Sequence, residues 1–158
     1  MKKVYVWGII IVIILAIIII FTLPKASSFE NINAMPGEIE IHKSLTCGCC
    51  STYASYVDGK VSPKVNTLDT KGSDEIKIKY GIPSELQSCH TTIIGDYFIE
   101  GHMPLEAVEK LLKEKSNIKG IALPGMPSGS PGMPGPKSGE FIIYAVNNDG
   151  TSNEFMRI

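Results

Sequence analysis

The sequence has no excess or stripe of basic residues, and this absence excludes a nucleic-acid-binding role. The 158 residues include 15 basic and 16 acidic side chains, for a formal net charge of −1. Three of the basic residues, Lys2, Lys3 and Lys25, lie within or beside the N-terminal apolar segment, so the remainder has 12 basic and 16 acidic residues and a net charge of −4. Nucleic-acid-binding domains usually present clustered positive charge. We therefore expect no nucleic-acid partner.

Cysteine is scarce and unevenly distributed. Of four cysteines, three fall within residues 47–50 (CGCC), and the fourth, Cys89, is followed by His90. A second C-x-x-C knuckle, which four-cysteine zinc domains usually have, is missing. Apolar burial does not predict such crowding, whereas a site that needs several soft thiolates at one point does. Thiolates select Cu(I), zinc or iron–sulfur chemistry, and the nearby methionines and histidines favour copper.

One long apolar run is present, at the N-terminus. Val4 to Leu23 contains no charged residue and follows Lys2 and Lys3. A helix of this length matches a bilayer core of roughly 30 Å. Residues 1–24 are therefore predicted to be a transmembrane anchor, with a cleaved signal peptide as the alternative. Positive charge before the span predicts that the following domain lies on the extracytoplasmic side of the cell membrane.

The rest of the chain reads as a linker, residues 25–37, and a single domain, residues 38–158. The pattern of apolar residues and turn signals predicts strands, helices and hairpins in a definite order. These are a strand at 38–42, a helix at 49–58, a strand at 61–68, a helix at 74–80, a hairpin at 91–100, a helix at 104–115 and a closing hairpin at 141–157. This order predicts an α/β fold with a mixed sheet, flanking helices and a parallel first pair of strands. Residues 120–139, rich in glycine, proline and methionine, predict a loop without regular structure.

Cys47 and Cys50 have the C-x-x-C spacing of a redox pair between a strand and a helix, which resembles a thioredoxin-like site. A helix that starts at this point favours thiolate over thiol. In thioredoxins a proline precedes the first hairpin strand, but residues 89–91 (CHT) hold no proline and supply two metal-capable side chains instead. A disulfide exchanger gains little from Cys49, whose sulfur can bind or bridge metal ions beside that of Cys50. The fold thus resembles thioredoxin, while the site resembles a metal site.

Four segments resemble the CopG-type extracytoplasmic metal-binding proteins of copper and silver resistance clusters. They are residues 43–50 (KSLTCGCC), 88–91 (SCHT), 99–104 (IEGHMP) and 120–133 (GIALPGMPSGSPGM). This resemblance implies a thioredoxin-like fold whose cysteines hold a multinuclear copper cluster, with Cu(I) and Cu(II) as its states. It also implies a role in copper redox exchange, for which a copper-handling or electron-transfer protein is the expected partner.

The residues expected to bind the metal come from these segments. They are Cys47, Cys49, Cys50, Cys89, His90 and His102. Met126 and Met133 are candidates for thioether ligands or for a lid over the cluster, with plain packing as an equal alternative. Two structural disulfides are the alternative for the cysteines, and a surface imidazole is the alternative for His90. Glu100 is expected to be a solvated charge at a strand end, with orientation of an imidazole as the alternative.

The sequence therefore predicts an extracytoplasmic protein that holds Cu(I) in a thiolate cluster for copper resistance or homeostasis. Silver suits the same ligands, and copper redox exchange would make the protein an oxidoreductase. The alternative function is a membrane-tethered thiol–disulfide oxidoreductase that uses Cys47 and Cys50. A structural zinc domain, which would unfold on chelation, is a third reading.

Overall fold

The computed structural model describes residues 28–70 and 74–158. The strands are β1 (Ile39–Ser44), β2 (Val65–Thr70), β3 (His90–Ile94), β4 (Tyr97–Glu100), β5 (Ile118–Ala122), β6 (Ile142–Asn147) and β7 (Ser152–Arg157). The helices are α1 (Glu30–Asn33), α2 (Gly48–Asp58), α3 (Asp74–Tyr80) and α4 (Leu105–Glu114), with a 3-10 turn at Ser84–Leu86. The predicted anchor lies outside the described residues. Within them, no helix combines the length and apolar character that a bilayer crossing requires.

All seven strands belong to one mixed sheet, in the order β2-β1-β3-β4-β5-β6-β7. The β1–β2 and β4–β5 pairs are parallel, and the other four pairs are antiparallel. The predicted mixed α/β architecture and the parallel first pair are therefore confirmed. Lys43 lies opposite His90, and Thr91 lies opposite Glu100. This register places the end of β1, the start of β3 and the end of β4 at the same end of the sheet.

Helices cover both faces of the sheet. The larger core packs α2 and α4 against one face, with Tyr53, Val57 and Leu111 among its buried residues. A smaller cluster lies around Phe98, with Ile76 of α3 packed against it. Helix α4 carries its apolar residues on one stripe, as its 3.6-residue periodicity predicts, and it follows Pro104. Helices α2 and α4 thus pack on the same face of the sheet.

Two short elements differ from the sequence-based prediction. Strand β5 extends into the segment predicted to be irregular throughout, because Gly120 lets β5 approach β4 closely. A Cβ atom at this position would overlap the carbonyl oxygen and ring of Phe98. Helix α1 lies within residues 25–37, for which a linker was predicted. It is only four residues long, but Phe29 and Ile32 bury their side chains in the larger core.

Candidate metal centre

The cysteine loop joins β1 to α2 and caps that helix. Cys47 is the N-cap residue, and the backbone N–H of Cys50 donates to Cys47 Sγ at 3.3 Å. A side-chain acceptor at this position satisfies one of the free amides in the first helical turn. Cys47 and Cys50 form a disulfide, while Cys49 and Cys89 are free thiols. Cys49 Sγ lies 3.5 Å from Cys47 Sγ, so three sulfurs meet at the start of α2.

The second half of the site lies at the start of β3 and just beyond the end of β4. Cys89 Sγ is 3.1 Å from His102 Nε2 and 3.5 Å from His90 Nδ1. The backbone N–H of Gly101 donates to the His90 carbonyl at 3.0 Å and extends the β3–β4 pairing beyond Glu100. The pairing of these two strands therefore brings both imidazoles beside one thiol.

Two overlapping groups of potential ligands result. The first is Cys47, Cys49, Cys50 and Cys89, and the second is Cys50, Cys89, His90 and His102. The ligand atoms of each group lie within 4.8 Å of one another. The structure thus brings together all six side chains that the sequence predicted as metal ligands. Four sulfurs and two imidazoles form a soft, nitrogen-containing donor set, which suits copper chemistry.

A backbone carbonyl holds the imidazole of His102 in place. His102 Nδ1 donates to the carbonyl oxygen of Pro131 at 2.7 Å, since that oxygen can only accept. The remaining nitrogen, Nε2, then presents its lone pair towards Cys89. Burial lowers the pKa of His102, against the opposing effect of the Pro131 carbonyl, and favours the neutral ring. An imidazole anchored through one nitrogen and free at the other is the usual form of a metal-binding histidine.

His90 is buried among aromatic rings and keeps one nitrogen unsatisfied. Its ring lies 4.4 Å from that of Tyr53 and 4.8 Å from that of His102, centroid to centroid. Burial, with smaller effects of His102 and Lys77, lowers the pKa of His90 to about 3. Nε2 has no hydrogen-bond partner within residues 28–70 and 74–158. A buried nitrogen without a partner costs free energy. The other ring nitrogen, Nδ1, is the one that lies 3.5 Å from Cys89 Sγ.

The thiol of Cys89 is held in its protonated form. Burial, followed by the charge of Cys49, raises the pKa of Cys89 to about 11. A bound cation reverses this balance, because metal coordination displaces the thiol proton. Metal binding through Cys89 would therefore release a proton.

The glycine-rich loop after β5 packs on the start of α2. Gly132 has a φ of +82°, and a Cβ atom there would lie 2.8 Å from Tyr53 N and 3.0 Å from Cys49 O. Half-buried Met133 lines an open groove together with Cys49 and Thr52. Met126 is 52 % exposed and does not line this groove. The structure thus places Met133, but not Met126, beside a cysteine of the site.

Glu100 is not the solvated charge that was expected. Its side chain is 0 % exposed and forms an ion pair with Lys77, which is 3 % exposed. Thr91 Oγ1 donates to the Glu100 carboxylate at 2.6 Å, and the backbone N–H of Ser88 donates to it at 2.5 Å. Burial raises the pKa of Glu100, and the Lys77 ammonium and these hydrogen bonds oppose the rise. The local sequence predicted a strand-end position correctly but gave no sign of the buried lysine.

The chain is similar to a described protein family and to two solved structures. A family described as "Protein of unknown function, DUF411" matches residues 86–133, which include Cys89, His90 and His102. Two solved structures, "Copper resistance protein copG- Form 1" and "Form 2", are each 31% identical to the chain, with TM-scores of 0.70 and 0.71. Each match covers 78% of this chain and 98% of the other. The chain belongs to the CopG family of copper resistance proteins.

Membership in the CopG family confirms the resemblance that the four sequence segments indicated. No curated protein matches the chain. Of the three histidines, His42 is the one outside the ligand groups, and it pairs instead with Glu40 at 3.2 Å. It therefore offers an internal control for experiments on the site.

Proposed function

We propose that this chain binds copper ions as cargo through the sulfurs of Cys47, Cys49, Cys50 and Cys89 and the imidazoles of His90 and His102. The observation that supports this most is the convergence of these six side chains in two overlapping groups. The groups share Cys50 and Cys89, whose sulfurs would bridge neighbouring ions in the reduced chain. A multinuclear thiolate cluster is the arrangement that such sharing favours.

The disulfide sets a condition for this role. While Cys47 and Cys50 are bonded to each other, their sulfurs are not available as thiolate ligands. Two electrons from an external reductant, taken up with two protons, convert the bond into two thiols. Metal coordination would then displace the thiol protons to solvent and give thiolates. The reduced chain would therefore hold more copper than the oxidised chain.

The mixed donor set supports a role in copper redox exchange. Thiolates favour Cu(I), while imidazoles also suit Cu(II), the harder ion. Ag(I) shares the preference for thiolates and is a competing cargo. A copper-handling or electron-transfer protein would then supply or receive the ion or the electron.

The proposed location is the extracytoplasmic face of the cell membrane. Its support is the uncharged run from Val4 to Leu23 behind Lys2 and Lys3. A protease added to intact spheroplasts should digest the copper-binding domain and leave a cytoplasmic marker uncut. Protection of the domain in intact spheroplasts, with digestion only after lysis, would contradict this location.

A second candidate function is thiol–disulfide exchange on a thioredoxin-like core. The Cys47–Cys50 disulfide at the start of α2, directly after β1, favours it. The amide of Cys50 already donates to Cys47 Sγ, and that contact would stabilise a Cys47 thiolate after reduction. In this function, a substrate thiolate would attack the Cys47–Cys50 disulfide, form a mixed disulfide with one of these cysteines and release the other as a thiolate.

Metal analysis combined with thiol counting separates the two functions. The full chain would be purified in detergent without oxygen, before and after reduction, and loaded with Cu(I). Two thiols, those of Cys49 and Cys89, should titrate before reduction and all four cysteines afterwards. More than one copper ion per reduced chain, with the thiols protected from alkylation, is the expected result. No bound copper and a reversible Cys47–Cys50 bridge would replace the proposal with the oxidoreductase.

A further inference from the structure

A buried carboxylate lies directly behind the segment that carries Cys89 and His90. Glu100 accepts hydrogen bonds from the backbone N–H of Ser88 and from the hydroxyl of Thr91. These two residues flank Cys89 and His90 on either side. Both ends of the ligand-bearing segment are thus tied to one carboxylate on the neighbouring strand.

Lys77, which forms a buried ion pair with Glu100, adds further contacts to this hydrogen-bonded network. Lys77 of α3 contacts Glu100 and also donates to Thr91 Oγ1 at 3.2 Å. Replacement of a buried ion pair by apolar residues is often neutral or stabilising, so stability alone does not explain why a protein keeps one. A network in which each member has a partner does, however, specify one local geometry.

The hydrogen-bonded network of Glu100 also extends to the other parts of the site. Glu100 ends β4, and His102 follows it by two positions. The hydroxyl of Ser88, whose amide is bound to Glu100, donates to the carbonyl oxygen of Gly125 at 2.5 Å. The carboxylate is therefore connected to the two segments that carry His90 and His102 and to the loop that holds Pro131.

We propose that Glu100, paired with Lys77, is a positioning residue that holds Cys89 and His90 in the geometry required for copper binding. This inference rests on the proposed copper-binding function. It assigns Glu100 no contact with the metal, because the carboxylate acts through Ser88 and Thr91. Residues that orient metal ligands typically change metal affinity by about 10–100-fold when they are replaced.

Two double variants of the full chain test the proposal. Lys77→Met/Glu100→Leu removes both charges and the acceptor for the Ser88 amide. Lys77→Met/Glu100→Gln removes the same charges, but its amide oxygen accepts from Ser88 and its amide nitrogen donates to Thr91. Single variants are avoided, because either one leaves a buried charge without a partner and risks unfolding.

Copper(I) affinity, measured in competition with a chelator of known affinity, is the first readout. The leucine variant should melt near the parent temperature and bind copper about tenfold or more weakly. The glutamine variant should bind close to the parent level. Equal affinity in all three folded proteins would overturn the proposal, and so would equal weakening in both variants.

The alkylation rate of Cys89 in the metal-free, reduced chain is the second readout, followed by mass spectrometry. The leucine variant should react several-fold faster than the parent and the glutamine variant, because its segment has lost the anchor. If the parent binds no copper, the proposed function fails and this rate still decides the positioning role. If the leucine variant does not fold, Thr91→Val removes one of the two anchors and should give a smaller increase; an unchanged rate overturns the proposal.

Discussion

Cys89 and His102 are thirteen positions apart in the sequence, and the thiol sulfur of Cys89 lies 3.1 Å from Nε2 of His102. The other nitrogen of the same ring donates to the carbonyl oxygen of Pro131. Three separate parts of the chain therefore determine one sulfur–nitrogen contact. His102 has a fixed tautomer and a fixed direction, which a freely rotating surface imidazole lacks.

We expect His102→Gln to weaken Cu(I) binding by at least about tenfold, or 1.4 kcal/mol, since it removes a nitrogen donor. His42→Gln is the matched control, because His42 pairs with Glu40 and belongs to neither ligand group. Both affinities can be measured by chelator competition on the reduced chain. Equal affinities of the two variants would remove His102 from the site.

Cys49→Ser should separate metal binding from disulfide exchange. The substitution leaves the Cys47–Cys50 bond in place and removes one of four sulfurs, so copper stoichiometry or affinity should fall while exchange continues. Cys50→Ser should abolish the exchange and also impair metal binding. Copper content by elemental analysis and reduction of a model disulfide are the two measurements. Unchanged copper binding in Cys49→Ser would contradict the cluster.

Gly132→Ala should destabilise the loop that covers the start of α2. Its Cβ would meet the backbone of Tyr53 and Cys49, so the loop must shift. Gly139→Ala is the matched control, because Gly139 has a similar φ of +77° and open space around it. The left-handed backbone costs both variants about 1–2 kcal/mol.

The overlap should lower the free energy of unfolding of Gly132→Ala by about 1–3 kcal/mol more than that of Gly139→Ala. Denaturant unfolding of the two metal-free variants measures this difference. The larger loss of stability should be accompanied by weaker copper binding in Gly132→Ala alone, since the displaced loop also carries Pro131. Identical unfolding curves would mean that the loop does not pack on α2 in solution.

Glu109 should make stability depend on pH. Burial raises its pKa, but hydrogen bonds from the backbone N–H and side-chain amide of Asn31 and from the N–H of Ile32 outweigh this effect. The resulting pKa is below the ordinary value of 4.5. Its contribution to stability is therefore complete above that value and is lost as the pH falls through the lowered pKa.

Glu109→Gln should accordingly melt a few degrees below the parent at pH 7, and the difference should shrink as the pH falls below 4.5. Thermal melts of the metal-free chain at several pH values measure this difference in melting temperature. Glu106→Gln, on an exposed position of the same helix, is the control and should show a smaller change. A constant difference across the pH range would rule out the carboxylate as the cause.

The elements that could be predicted are those with a complete local signal. Helix α3 was predicted at 74–80 and is found at Asp74–Tyr80. The β3–β4 hairpin follows from the turn at Gly95, whose φ of +56° suits glycine. Helix α4 follows from its apolar stripe. In α4 and the hairpin, periodicity and turn residues agree with tertiary burial. Helix α3 agrees in its bounds, but its Ile78 is exposed and its Lys77 is buried.

The parts that could not be predicted depend on distant neighbours. Strand β5 has Gly120 in its middle, a residue that reads as a loop signal unless the adjacent Phe98 is known. Glu100 reads as a surface charge unless Lys77, 23 positions earlier, is known to face it. The motifs named the six candidate ligands, and the C-x-x-C spacing indicated the pairing of Cys47 with Cys50. The contact of Cys89 with His102 required the sheet register.

The contact between His102 and the Pro131 carbonyl has a consequence for the order in which the site matures. The chain is synthesised from its N-terminus, so residues 47–50 emerge first and Pro131 emerges last among the groups that define the site. A nascent chain can expose the thiols of residues 47–50 early. It cannot orient His102 until the glycine-rich loop has been made. If the chain binds copper as proposed, the complete ligand set would therefore be available only after the glycine-rich loop has been made.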